Sequence, residues 1–162
     1  WKLIASDQPL GVQIGHEGRY FEGMANGNGG RPSGRELELS RLLRFIAEGG
    51  IQNIAWITAD VHYAAAHHYH PDRATFRRFT PFWEFIAGPL NAGTFGPNYL
   101  DPTFGPKAEF ISVERGMQPG LSPFSGLQFY GVGRVDAESG ALTISLHRGD
   151  GERLWSKRLP AR

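Results

Sequence analysis

An α/β or α+β fold is predicted for this chain of 162 residues by three observations. Leu39, Leu42, Leu43 and Ile46 recur at helical spacing and are followed directly by an apolar, β-prone run over residues 51–58. The C-terminal segment alternates apolar and polar residues between regularly spaced turn signals. The 22 glycines and 11 prolines gather mainly in residues 15–34 and 88–126, which implies regular elements separated by long shaped loops.

Taken in order, residues 1–6 and 12–14 read as short strands around the turn Asp7–Gln8–Pro9, because proline cannot donate to a ladder. The following stretch, HEGRYFEGMANGNGGRP, reads as a solvent-exposed loop, and a loop of that length in a compact domain is commonly functional or mobile. Ser33 and Glu36 have the spacing of a capping box, so a helix is expected from Gly34 to Glu48, stopped by Gly49 and Gly50. Ile51 to Thr58 then reads as a buried strand. Within the aromatic, proline-rich stretch 79–106, residues 82–88 can form a strand and the remainder reads as ordered loop. Three final strands, Leu127 to Asp136, Ala141 to Arg148 and Arg153 to Leu159, make an antiparallel β-meander. In the middle one, Leu142, Ile144 and Leu146 alternate with Thr143, Ser145 and His147, which is the pattern of a sheet with one wet face.

The composition excludes several classes of function. Seventeen Lys and Arg stand against 16 Asp and Glu, a net charge of +1, so there is no large basic field for nucleic acid and no basic block for anionic lipid. Without cysteine the chain holds no disulfide, no thiolate nucleophile and no cysteine zinc site of its own. No apolar run approaches the length of a membrane span, and no basic-then-apolar leader stands near the start. Trp1 already lies in a strand-like run, which leads us to expect a fragment or a processed product.

The chemistry concentrates in NIAWITADVHYAAAHHYHP, where the apolar strand breaks into Asp60, His62, His67, His68 and His70. Four of the six histidines fall within this stretch. On an extended backbone Asp60 and His62, two residues apart, point the same way and can reach one ion; the plainer reading is a carboxylate orienting a partly buried histidine. His67, His68 and His70 cannot all face one centre. For His67 a substrate contact, a supporting role behind the ligands and a surface position all remain open. Asp7 can approach the same sheet edge, although stabilisation of its own turn is the simpler role. Glu84, set among Phe82, Trp83 and Phe85, requires a polar partner. ANGNGG lacks the Lys-Ser/Thr pair of a phosphate loop, Ser122 and Ser125 lack a nucleophile-elbow context, and Arg73, Arg77 and Arg78 read as a solvated face.

Three stretches together carry a resemblance: GRELELSRLLRFIAEGGIQNIAWITADVHYAAAHHY, FTPFWEFIAGPLNAGTFGPN and LSPFSGLQFYGVGRVDAESGALTISLHRGDGERLWSKRL. They resemble, nearly end to end and in order, the C-terminal portion of the PhoD-like alkaline phosphatases and phosphodiesterases of the calcineurin-like metallophosphatase superfamily. The resemblance implies that residues 1–162 form the C-terminal part of a single metallophosphatase domain whose N-terminal half is absent from the chain. It implies the corresponding half of a β-sandwich flanked by helices. It further implies an exported, periplasmic or secreted hydrolase of phosphomonoesters and phosphodiesters, with a multinuclear centre of divalent and trivalent metal ions, iron and calcium. Asp60 and His62 then correspond to the late D-x-H metal ligands, and Tyr63 and His67 to residues of the substrate pocket.

The family's upstream cysteine-containing segment, its aspartates and its asparagine have no counterpart in the sequence, so the expected partner is the missing N-terminal half and the expected substrate a phosphate ester. An isolated chain is expected to be inactive. Two other readings compete: a noncatalytic fragment or association module without a complete site, and a mononuclear zinc hydrolase built from Asp60, His62 and a later histidine.

Overall fold

A computed structural model describes residues 1–16 and 20–162. The expected α+β class is found: a mixed five-stranded sheet with a helix on one face and a three-stranded antiparallel sheet on the other.

Strand β1 (Lys2–Ala5) begins the chain, and β2 (Gly15–His16) and β3 (Tyr20–Phe21) form a small antiparallel hairpin. Helix α1 spans Glu36–Glu48 and buries Leu39, Leu43 and Ile46, as their spacing predicts; each buried leucine or isoleucine contributes about 1.5–3 kcal/mol. The helix leads into β4 (Ile54–Thr58), which lies parallel to β1, so β1, α1 and β4 form a β-α-β crossover.

Only half of the capping box forms. The Glu36 carboxylate accepts from the Ser33 backbone N–H at 3.2 Å, but the Ser33 hydroxyl lies 3.0 Å from Asn26 Nδ2 instead of capping the helix. Fully buried Glu36 also accepts from the Asn26 backbone N–H and side-chain amide, so the first turn of α1 clamps the preceding loop. That loop is accordingly less exposed than its composition predicts: Gly23 and Ala25 are buried. Residues 17–19 of the loop lie outside the described residues.

Four strands were not legible in the sequence: β2 and β3 of the small hairpin, and two in the large sheet. Strand β5 (Ala65–Tyr69) runs antiparallel to both β6 (Phe82–Ile86) and β7 (Pro106–Ile111), and the sheet order is β1-β4-β6-β5-β7. Residues 12–14, by contrast, form no strand of their own; Val12 makes a single bridge to Leu100. The meander follows expectation, with β8 (Phe129–Val135), β9 (Leu142–Arg148) and β10 (Arg153–Leu159) in the order β10-β9-β8.

The sheet alternation divides the core. Trp56, Tyr69 and Phe82 face α1 with Leu39 and Leu43, whereas Ala55, Ala66 and Phe85 pack against Leu142, Ile144 and Leu146 of β9. Among the described residues no helix is long and apolar enough to cross a membrane.

Candidate metal centre

The parallel strands β1, β4 and β6 end side by side, tied by the bonds Ser6 N–H to Ile57 O and Ala87 N–H to Thr58 O. Their C-terminal ends deliver Asp7, then Asp60 and His62, then the loop 88–98 to one edge of the sheet, the end at which mixed and parallel sheets gather loops.

Asp60 and His62 do not sit on an extended backbone, which corrects the geometric argument made from their spacing. Their φ angles are 70° and 57°, both left-handed, and Val61 N–H closes a tight turn onto Ala59 O at 2.9 Å. Each such residue costs roughly 1–2 kcal/mol. The conformation is held by its neighbours: Val61 and Tyr63 are buried in an apolar cluster with Val12, Ile14 and Ile86. Alternate residues are thus anchored inward while Asp60 and His62 line a cavity of about 440 Å³ together with Glu22, Phe95 and Asn98.

His62 is oriented twice. Its Nδ1 lies 2.6 Å from the Gly93 carbonyl oxygen, which can only accept, so Nδ1 carries a proton and the neutral ring keeps its lone pair on Nε2. The ring also stacks on Phe95, with centroids 4.5 Å apart and planes at 19°. Burial raises the Asp60 carboxyl above its ordinary pKa of 3.8; the carboxylates of Glu22 and, more weakly, Asp7 push the same way, and His62 opposes them. Asp7 also fills the turn role expected of it, accepting from Gln8 N–H at 3.0 Å. Among the described residues, no group of three or more His, Cys, Asp or Glu is placed to hold one ion.

Tyr63 supports the wall of the cavity without lining it. It is buried, its ring packs beneath Gly96, and its hydroxyl accepts from Asn98 N–H at 3.4 Å. Burial pushes the phenol pKa up to about 12. His67 sits elsewhere: it is fully buried on β5, its Nδ1 3.1 Å from Glu84 Oε2. The required partners of Glu84 are therefore His67, the Tyr69 hydroxyl at 2.7 Å, the Leu10 N–H at 2.7 Å and the Thr58 hydroxyl at 3.3 Å. His68 stacks on Trp83 on the other face of the sheet, and His70 accepts from Asp72 N–H. None of these three histidines lines the cavity, so they do not complete a mononuclear site with Asp60 and His62.

The sequence reading missed Glu22, Gly93, Phe95 and Asn98. The one signal available for them was the crowding of glycine and asparagine in two otherwise featureless loops. In ANGNGG the groups are used internally, with Gly29 N–H donating to Asp101 and Gly29 O accepting from Thr75, and the segment forms no phosphate cradle. Arg73 and Arg77 bind backbone carbonyls, and Arg78 pairs with Glu48 at the surface. A smaller cavity, about 230 Å³, opens at the opposite end of the sheet between α1 and β10 and contains no Asp or Glu.

No curated protein matches the chain. The family model for PhoD-like phosphatases matches residues 1–146, nearly the whole sequence, and the two-layered sheet with its D-x-H pair at a strand end is the setting of that match. On this evidence the chain belongs to the PhoD-like phosphatase family.

Proposed function

We propose that this chain forms part of the metal site of a phosphoric ester hydrolase acting on phosphomonoesters and phosphodiesters, with Asp60 and His62 as metal ligands. The observation that carries the reading is the geometry of His62: its Nδ1 is committed to Gly93 O, which leaves Nε2 as the ring atom that can ligate, next to a carboxylate in the same cavity. A carboxylate oxygen and an imidazole nitrogen suit iron, and the carboxylate suits calcium, the two metals that the family resemblance implies.

Metal ions bound there would neutralise phosphoryl oxygens and lower the pKa of a bound water. The chain's own contribution is positional. Asp60 offers its carboxylate as a ligand, Gly93 and Phe95 keep the His62 ring in place, and the carboxylates of Glu22 and Asp7, which oppose the Asp60 charge, favour a cation over a bare phosphate. Because two donors make only part of a multinuclear centre, the remaining ligands are assigned to an N-terminal half, and the isolated chain is assigned no activity. An exported location belongs to the same proposal and rests on the resemblance alone.

The alternative is a folded module without catalysis, in which Asp60 and His62 are ordinary lining residues of the cavity. The deciding experiment is Asp60→Ala in the full natural protein. Metal content and chelator-sensitive hydrolysis of bis-p-nitrophenyl phosphate should both fall by more than about tenfold, the scale of losing even an outer partner of a ligand, with the circular dichroism spectrum unchanged. Near-normal turnover at full metal occupancy would remove the assignment, and a chelator-insensitive wild type without turnover would favour the noncatalytic module.

A further inference from the structure

We infer that Thr94 is a positioning residue for His62, acting through the carbonyl of Gly93 and the ring of Phe95. The inference rests on the reading of His62 as a ligand, and it explains how a loop without any strand ladder can hold an imidazole in one orientation.

Thr94 stands between the two residues that touch His62. Gly93 fixes the ring edge through Nδ1 at 2.6 Å, and Phe95 covers the ring face at 4.5 Å between centroids. Phe95 is itself about half exposed and cannot anchor the segment by burial. Thr94 is fully buried and is fastened at three points to residues 118–121. Its hydroxyl donates to Gln118 O at 3.3 Å and accepts from Leu121 N–H at 3.2 Å, while its carbonyl accepts from Gly120 N–H at 2.7 Å.

The two backbones also touch. A Cβ added at Gly93 would lie 3.3 Å from both Gly120 Cα and Leu121 O, so glycine is what allows the carbonyl-bearing residue to lie flat on that segment. Gln128 bonds both the N–H and the carbonyl of Ala92, and Asn98 Nδ2 bonds Gln13 O, which secures the loop on either side of the clamp. The hydroxyl of Thr94 therefore transmits the position of residues 118–121 to the tautomer and aim of His62. Outer partners of ligating histidines characteristically change metal affinity by about 10–100-fold when removed.

The test uses the full natural protein with Thr94→Val, which keeps the shape and deletes both hydroxyl bonds, and with Thr94→Ser, which restores them. In the metal-free protein labelled with ¹⁵N-histidine, long-range ¹H–¹⁵N correlation should show His62 protonated on Nδ1 in the wild type and in Thr94→Ser, and as a mixture of tautomers in Thr94→Val. Titration with Co²⁺ alone should show affinity weakened about tenfold in Thr94→Val and recovered in Thr94→Ser. Wild-type tautomer and affinity in a folded Thr94→Val would overturn the inference. If that variant does not fold, Thr94→Ala deletes the same two hydroxyl bonds with a smaller side chain, and an unchanged tautomer and Co²⁺ affinity there overturn the inference equally. A His62→Ala control that still binds Co²⁺ normally would count against His62 as a ligand, whereas the tautomer readout judges Thr94 independently of any metal.

Discussion

Glu84 and His67 are register partners on β6 and β5, and their side chains meet at 3.1 Å with both fully buried. The same carboxylate accepts from Tyr69, Leu10 and Thr58, so one buried acceptor joins β4, β5, β6 and the segment after β1. Glu84→Ala leaves the Tyr69 hydroxyl, the Leu10 N–H and the His67 ring without that acceptor. We expect a loss of roughly 3–5 kcal/mol of stability, measured as a shift of the urea midpoint at unchanged slope. A change within experimental error would show that the network is not a determinant of the fold.

Gly96 has φ 76°, and a Cβ there would lie 2.3 Å from Tyr63 Cε1. Gly96→Ala must displace either the buried Tyr63 ring or the cavity wall. The expected cost is about 2–5 kcal/mol from strain and overpacking together. Thermal and urea unfolding of the variant check it, and wild-type stability would contradict the close packing of ring and loop.

Tyr63 predicts an alkaline limb of stability. Its pKa rises from 10.0 in the unfolded chain to about 12 in the fold, so the folded state holds the proton more tightly. The contribution is fully present below pH 10.0 and is lost as pH rises through about 12. Burial pushes Tyr69 in the same direction, with the Glu84 charge adding to it, so Tyr63→Phe should shallow the decline in this window without abolishing it. Urea denaturation at about pH 9 and about pH 11 provides the comparison, and an identical decline in both proteins would exclude a contribution from Tyr63.

Glu22 and Asp60 meet across the cavity as like charges. Removing one of them by Glu22→Gln should lower the Asp60 pKa toward the ordinary 3.8, because the carboxylate form no longer faces its strongest charged opponent. Carboxyl ¹³C titration of the metal-free protein reads this directly. The sign for stability follows: a raised carboxyl pKa favours the fold below 3.8 and the advantage is lost as pH rises through the shifted value, so the variant should show a smaller loss. An Asp60 pKa unmoved by the substitution would place Glu22 too far away to matter.

Helix α1, strand β4 and the β8–β10 meander were legible because each buries one face along a single local period, 3.6 residues in the helix and two in the strands. The placement of Asp60 and His62 just past a buried strand was legible for the same reason. Strand β5 was not, since AAHHY carries a histidine at a position buried by pairing with Glu84, 17 residues away, and its alternation looks polar until that partner is known. The left-handed backbone at Asp60 and His62 depends on the burial of Val61 and Tyr63 against residues 12, 14 and 86. Gly93 reaches His62 across 31 residues and the Thr94 hydroxyl meets Leu121 across 27, contacts set by which loops the strand order brings to one edge. Local periodicity encodes which side of an element is buried. Which distant group then meets each buried or strained side chain is set by the packing of the whole chain, where unpaired polar groups and left-handed residues are tolerated only if a tertiary partner compensates them.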